Sequence, residues 1–420
     1  MTVATAPTRG IRTLVAGNLV ARLGALVALA AATVMVARAG GPALVGAFTL
    51  FRVLPGLAGV LAAAGLPGAC PYFLAARGTD GRLRPTLLAL TVLGACVATL
   101  VWLVLTPVLH QVFFRPWSTG LVAAGGLAVF GQLFVAVGKA LLQGGEDMPG
   151  ANVAILAEEA AFLPAYAGLL AWFGTGAGPM LAALVVADVT VAAAIALRLR
   201  HNGFFRGWRR PDRALGREIA VYGLRGQLGG LLSLVNLRLD VAILGALAGP
   251  AVLGVYAVAS KYAELLRVPG LAVNYVLYPV LARRGVHDAA ARARALLAPA
   301  LAFTVLAAVP LAALAAPLLP GIYGDRFADA VVPTWILLAG LLGEGVAGVV
   351  IAYLYAVGRP GLSSLAIGAA VAVTIVGDLL LIPRYGAVGA AVASALAYLT
   401  TVATLLACFG YVAREREGKP

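Results

Sequence analysis

This sequence carries little charge. Only 11% of its 420 residues are Asp, Glu, Lys or Arg, while 62% are hydrophobic and the mean hydropathy is +0.98. Soluble domains carry about 25% charged residues. So few charges cannot cover the surfaces of the two or three soluble domains this length would otherwise allow. Acids are the scarcer sign, 17 against 31 Lys and Arg. The excess of positive charge forms no continuous stripe and no patch interleaved with aromatics, which excludes a nucleic-acid-binding surface. Cysteine is scarce too: Cys70, Cys96 and Cys408 are far apart, in or beside apolar runs, and suggest neither a disulfide framework nor a metal motif. His110, His201 and His287 are scattered, so no metal centre is expected. No Gly-rich, Lys-bearing nucleotide loop occurs, so ATP is not expected as the direct energy source. No other cofactor is indicated. The polar start through Arg12 runs into a helix-length segment with no small-residue cleavage site close behind, so no cleavable signal peptide is expected.

Long apolar runs are what the sequence does have. Crossing roughly 30 Å of hydrocarbon takes about 20 apolar residues in a helix. Twelve such runs are read: Leu14–Ala37, Leu44–Leu66, Pro85–Leu109, Thr119–Leu142, Gly150–Trp172, Ala177–Leu197, Ile219–Leu247, Val252–Leu281, Ala295–Ala316, Ala330–Val357, Gly361–Ile382 and Ala387–Tyr411. The eighth is interrupted by Lys261, Glu264, Arg267 and Pro269-Gly270. With the N-terminus taken as cytoplasmic, 21 of the 31 basic residues fall in inner segments, 4 (Arg38, Arg115, Arg326, Arg384) in outer ones and 31 − 21 − 4 = 6 within spans. Positive residues gather on the cytoplasmic side. Only an even number of helices keeps the alternation intact, so both termini are placed in the cytoplasm and the protein in the inner membrane.

The longest polar stretch, Arg198 to Arg217, divides the runs into two sets of six. Phe204, Phe205 and Trp208 suit a piece lying at the headgroups. The halves also resemble each other. Gly41-Pro42-Ala43-Leu44-Val45-Gly46-Ala47-Phe48 returns 208 residues later as Gly249-Pro250-Ala251-Val252-Leu253-Gly254-Val255-Tyr256, and Pro71 and Pro279 keep that offset. An even number of helices per half makes the repeat parallel, about an axis normal to the bilayer. In transporters of such design the substrate site lies between the halves. The expected fold is therefore an all-α polytopic membrane protein of twelve transmembrane helices. Residues 1–200 and 218–420 form two six-helix bundles, joined by a cytoplasmic linker at 201–217.

Thirteen ionisable residues lie within these spans, each costing at least about 2.5–3.5 kcal/mol at a bilayer centre, so they must face one another or water. The cations Arg22, Arg52, Arg225, Arg238, Lys261 and Arg267 are confined to the first, second, seventh and eighth helices. These are repeat mates, and together they suggest a positively charged cavity for an anion. Arg suits phosphate because its planar fork bonds two oxygens. The acids are Glu158, Glu159, Asp188, Asp240, Glu264, Glu344 and Asp378. Lys261, Glu264 and Arg267 are spaced to stack on one helical face, which makes Glu264 an ion-pair partner. Arg225, Asn236 and Asp240 lie within about 60° on the seventh helix. Glu344 and Asp378 are read as neutralising cations from neighbouring helices.

With these residues the chain resembles the polysaccharide exporters and lipid-linked oligosaccharide flippases of the multidrug/oligosaccharidyl-lipid/polysaccharide superfamily over nearly its whole length. The resemblance rests on Asn18-Leu19-Val20-Ala21-Arg22-Leu23-Gly24, Ala37-Arg38-Ala39-Gly40-Gly41-Pro42 and Gly65-Leu66-Pro67. It continues in Asn236-Leu237-Arg238-Leu239-Asp240, Tyr323-Gly324-Asp325-Arg326-Phe327, Gly358-Arg359-Pro360 and the run Ile382 to Ala390. It implies alternating access by two six-helix bundles and turnover of a polyprenyl-pyrophosphate-linked oligosaccharide to the outer leaflet. The family's cationic cavity maps onto Arg22, Arg52, Arg225, Lys261 and Arg267. Asp240, Glu264, Glu158, Glu159 and Asp188 are candidates for ion coupling or charge pairing, and other glycan-assembly membrane proteins are candidate partners. The acidic loop Gly144-Gly145-Glu146-Asp147 departs from the basic residues expected there, and the two extra helices of lipid II flippases are lacking. The competing reading is a cation-coupled multidrug exporter using Asp188, Glu158 and Glu159. An enzyme is disfavoured because catalytic residues usually sit on loops and the outer loops are short.

Overall fold

The structure is a computed structural model and describes residues 11–78, 80–267 and 286–417. Every regular element among them is helical. In chain order these are α1 (Ile11–Ala62), α2 (Leu66–Arg77), α3 (Leu83–Val112), α4 (Thr119–Gly144), α5 (Met148–Ala160), α6 (Phe162–Phe173), α7 (Ala177–His201), α8 (Arg213–Ala263), α9 (Val286–Tyr323), α10 (Val331–Gly340), α11 (Glu344–Ala356) and α12 (Gly361–Glu417). Nine helical stretches among the described residues are long and apolar enough to cross a membrane. Their outward faces stay apolar: Trp172 is 87% exposed and Leu306 71%. Such faces suit lipid and not water. This is a multi-pass membrane protein.

The helices do not all match the apolar runs one for one. α1, α8 and α12 each pass through a glycine with non-helical torsions, Gly41 (φ 69°), Gly249 (φ 82°) and Gly386 (φ 53°). Left-handed φ carries no steric penalty for glycine, so the chain turns there with few intervening residues. Gly41 and Gly249 are the two glycines of the Gly-Pro repeat. The run read as Leu44–Leu66 stops at Ala62, where Ala64 (φ 47°) and Gly65 (φ 77°) turn the chain into a separate helix, α2, with Pro71 inside it. The run Gly150–Trp172 breaks between α5 and α6 at Ala161. α8 gives way to a 3-10 turn at Glu264–Leu266, and the rest of the expected eighth span, with Pro269-Gly270 and Pro279, lies outside the described residues.

The chain forms two compact units. One takes the residues up to Gly40 and Ala47–Val235, the other Gly41–Gly46 and the residues from Asn236 onward. In the first, α4 is central and packs on α2, α3 and α7. A Cβ added at Gly131 would sit 2.7 Å from the Cβ of Asp188, and one at Gly138 2.9 Å from Ile195, so these two glycines set how closely α4 and α7 approach. The Trp102 indole donates to the Val122 carbonyl at 2.7 Å and ties α3 to α4. The second unit has its own core around Val349, Val350, Tyr353, Leu405 and Val412.

Within the second unit the Gly-Pro turns interlock reciprocally. A Cβ at Gly46 would lie 1.8 Å from the Pro250 carbonyl oxygen, and one at Gly254 would lie 1.9 Å from that of Pro42. Each repeat supplies the glycine that admits the other's proline backbone.

Candidate functional site

The first unit contains a half-open cavity of about 950 Å³. That is the upper end of the range for small-molecule sites. Its walls come from α1, α2, α4, α5, α6, α7 and the start of α8, and its polar lining includes Arg52, Gln132, Glu158, Asp188, Arg225 and Gln227. α5 ends beside it, so the adjacent acids Glu158 and Glu159 reach different partners. One Arg52 guanidinium nitrogen donates to both Glu159 oxygens, at 2.6 and 2.7 Å. The guanidinium carbon also lies 5.4 Å from the Phe48 ring centroid. Lys139 is bonded to Glu158. Lys139 stands in α4, only 20% exposed, and is a member of this network.

Asp188 is buried on α7 against Gly131, and its Oδ2 has no hydrogen-bond partner among the described residues. Gln132 donates to the Phe51 carbonyl at 3.2 Å and Gln227 to that of Val60, so both amides pin the α1 backbone. Of the five cations expected in one site, this cavity holds Arg52 and Arg225. Arg22 is exposed, does not line it, and donates to Asn18 at 2.9 Å, which in turn donates to Asn152.

Lys261 and Arg267 belong to the second unit. Arg267 does not close the Lys261–Glu264–Arg267 stack expected on one face: its Nε donates to Glu344 at 3.4 Å, and it packs 5.5 Å from the Tyr398 ring centroid. Glu264 is exposed where α8 turns into a 3-10 helix. Glu344 does meet a cation, as expected. Asp378 does not: it is fully buried and neither oxygen has a hydrogen-bond partner among the described residues. Asp240 is bonded by the Tyr256 hydroxyl at 2.7 Å and by the Val241 amide at 2.8 Å, and Tyr256 also reaches Ser394 at 2.9 Å. The side chain of Asn236 lies outside the described residues.

The acidic loop also has a structural use. Asp147 caps α5 by accepting from the Gly150 amide at 3.0 Å, and it takes hydrogen bonds from Arg198 at 2.7 and 3.1 Å and from Asn202 at 2.7 Å. The Arg198 bonds hold its carboxyl at about 2, below the ordinary 3.8. Because the folded value is depressed, the stabilisation is complete above pH ~4 and is lost as pH falls toward 2. Asp147→Asn keeps the cap but weakens the bonds from the half-exposed Arg198, and should cost about 1 kcal/mol at pH 7; unfolding curves of the two proteins should converge as the pH approaches 2.

A sequence profile described as "Polysaccharide biosynthesis protein" matches residues 35–332. The chain belongs to this family. No curated protein matches the sequence. Among solved structures, the chain is similar to the lipid II flippase MurJ in an inward closed conformation: TM-score 0.75, 13% identity, 94% of this chain and 87% of that one covered. It is equally similar to an inward-facing multidrug resistance MATE family transporter of the MOP superfamily: TM-score 0.75, 17% identity, 95% and 96% covered. A MATE protein in complex with MaL6 matches at TM-score 0.60, 15% identity and 97% of both chains. At these identities the structural matches establish a MOP-type fold. Together the family and the membrane-length helices make the chain a multi-pass membrane protein of the polysaccharide-biosynthesis family.

Proposed function

We propose that the protein carries a polyprenyl-pyrophosphate-linked oligosaccharide from the cytoplasmic to the outer leaflet of the inner membrane by alternating access, with no catalytic step and no cofactor. The cavity wall bearing Arg52 and Arg225 supports this reading most directly. Arg52 is held by a carboxylate, and a pyrophosphate offers the same guanidinium acceptor oxygens with more charge. The substrate therefore displaces Glu159. The cavity's volume suits the pyrophosphate and the first sugars, while the polyprenyl chain stays on the apolar outer faces. Arg22, Lys261 and Arg267 complete the cationic path in other states of the cycle. Asp188 at the cavity wall and Asp378 in the interior have carboxylate oxygens with no hydrogen-bond partner among the described residues, and a charge left so is costly; they hold a proton or bind a cation and, with Asp240, couple transport to an ion gradient.

The topology proposed is twelve passes in two parallel six-helix repeats, with the glycine turns in α1, α8 and α12 each separating two passes and both termini cytoplasmic. In a cysteine-free variant, an impermeant thiol reagent applied to whole cells should label Gly176→Cys and spare His201→Cys. Labelling at 201 would overturn the orientation.

The multidrug reading is favoured by one observation, the three acids Glu158, Glu159 and Asp188 around the cavity. The two separate in cells carrying Arg52→Ala or Arg225→Ala, assayed for surface glycan and drug tolerance at equal protein levels. Loss of glycan with unchanged drug tolerance supports the flippase; the reverse replaces it with the exporter.

A further inference from the structure

The connection between α7 and α8 is short and fixed, and it carries more positive charge than its surroundings neutralise. Its anchors all come from the first unit. The Arg209 amide donates to the Gly81 carbonyl at 3.2 Å, the Asp212 amide to the Thr86 hydroxyl at 3.0 Å, and Arg84 to the carbonyls of Gly203 and Phe204 at 3.0 and 3.3 Å. Phe204 is buried beneath the Arg84 guanidinium. Phe205 and Trp208 remain exposed and stack on each other, centroids 5.4 Å apart and planes 19° from parallel.

Four acids near it are already engaged: Asp80 and Asp212 by Arg82, Glu218 by Arg77 and Asp147 by Arg198. Arg200, Arg206, Arg209, Arg210, Arg213 and Arg217 are all exposed and form no ion pair among the described residues. Six exposed guanidinium groups outside any ion pair and an exposed aromatic pair thus sit on a tethered platform between the end of α7, which is long and apolar enough to cross a membrane, and the start of α8.

We infer that this platform is a binding site for anionic phospholipid headgroups of the adjoining leaflet. Arg forks bond phosphate oxygens directly. The Trp208 indole, apolar with one polar N–H, suits the headgroup level. Basic clusters immediately beside a membrane span attract acidic lipids. The hydrogen bonds to α3 and the α2–α3 loop hold the arginines in place before a lipid arrives, so less ordering is lost on binding than in a flexible basic loop. The partner is phosphatidylglycerol or a lipid of the same headgroup charge, bound at the platform and exchanged slowly relative to neutral lipid.

The test uses the full chain in phosphatidylcholine bilayers with trace spin-labelled phosphatidylglycerol or phosphatidylcholine, and reads their relative association by electron spin resonance. The wild type should prefer the anionic label several-fold at low salt and lose most of that preference at high salt. Arg206→Ser/Arg209→Ser/Arg210→Ser should lose most of it at low salt, with an unchanged melting temperature. A control removing equal charge elsewhere, Arg115→Ser/Arg384→Ser/Arg414→Ser, should keep it. An unchanged preference in the platform variant, or an equal loss in the control, would overturn the assignment.

Discussion

Gly46→Ala and Gly254→Ala should each cut glycan transfer at least ten-fold, although each adds only one methyl group. The added carbon would lie 1.8 or 1.9 Å from a carbonyl oxygen of the opposing Gly-Pro turn. Such an overlap cannot be relieved by a side-chain rotamer, because the obstacle is backbone. The turns must separate, and the arrangement in which they interlock is lost. Overpacking a well-packed site costs about 1–3 kcal/mol, occasionally more, and the backbone obstacle puts these positions at the upper end. Gly410→Ala, where an added Cβ meets open space, serves as the control and should leave both transfer and melting temperature unchanged. Export assays and melting curves on the three proteins check the prediction. Wild-type transfer by Gly46→Ala would mean that the interlock is not needed in the cycle.

The second large effect concerns Arg52. Removing it alone leaves Glu159, 14% exposed, as an uncompensated charge, and breaking a buried pair costs about 3–5 kcal/mol. Arg52→Ala should therefore lose stability as well as transfer, which by itself does not separate a binding role from a structural one. Arg52→Met/Glu159→Met removes both charges at similar volume. Replacing a buried ion pair this way is often neutral or stabilising, so the double variant should regain the wild-type melting temperature. If Arg52 binds the pyrophosphate, transfer should stay below about a tenth of wild type despite the restored fold. Transfer restored with the fold would make the pair purely structural.

What was readable from the sequence depended on how local the cause was. Apolar runs and the Gly-Pro turns act within one or two helices, and the helices and the turns at Gly41 and Gly249 follow them. The separate helix at Leu66–Arg77 was missed because its run is apolar through Leu66; the signal was Gly65-Leu66-Pro67, a left-handed residue before a proline in the first turn. The charge network was the least legible part. Arg52 and Glu159 are 107 residues apart, and Lys139 and Glu158 are 19. Their pairing is fixed by how α1, α4 and α5 pack and not by any spacing along a helix. Local spacing grouped Lys261, Glu264 and Arg267, yet Glu344, 77 residues from Arg267, took the arginine. The acidic loop looked like a departure from its family because a sequence does not show that Asp147 is already used by Gly150, Arg198 and Asn202. Gln132 and Gln227 were passed over; an amide inside an apolar run was the available signal.

The most direct test of the account is transfer by the purified wild-type protein itself. Proteoliposomes would carry a lipid-linked oligosaccharide loaded in the inner leaflet and an imposed ion gradient, and the outer leaflet would be sampled with an impermeant glycan-binding or glycan-cleaving reagent. The account predicts that the protected fraction becomes accessible only when the protein is present, and that Arg52→Met/Glu159→Met, folded but lacking the Arg52 guanidinium, leaves it protected. A protected fraction that does not change with wild-type protein, or that changes equally with the double variant, would contradict it.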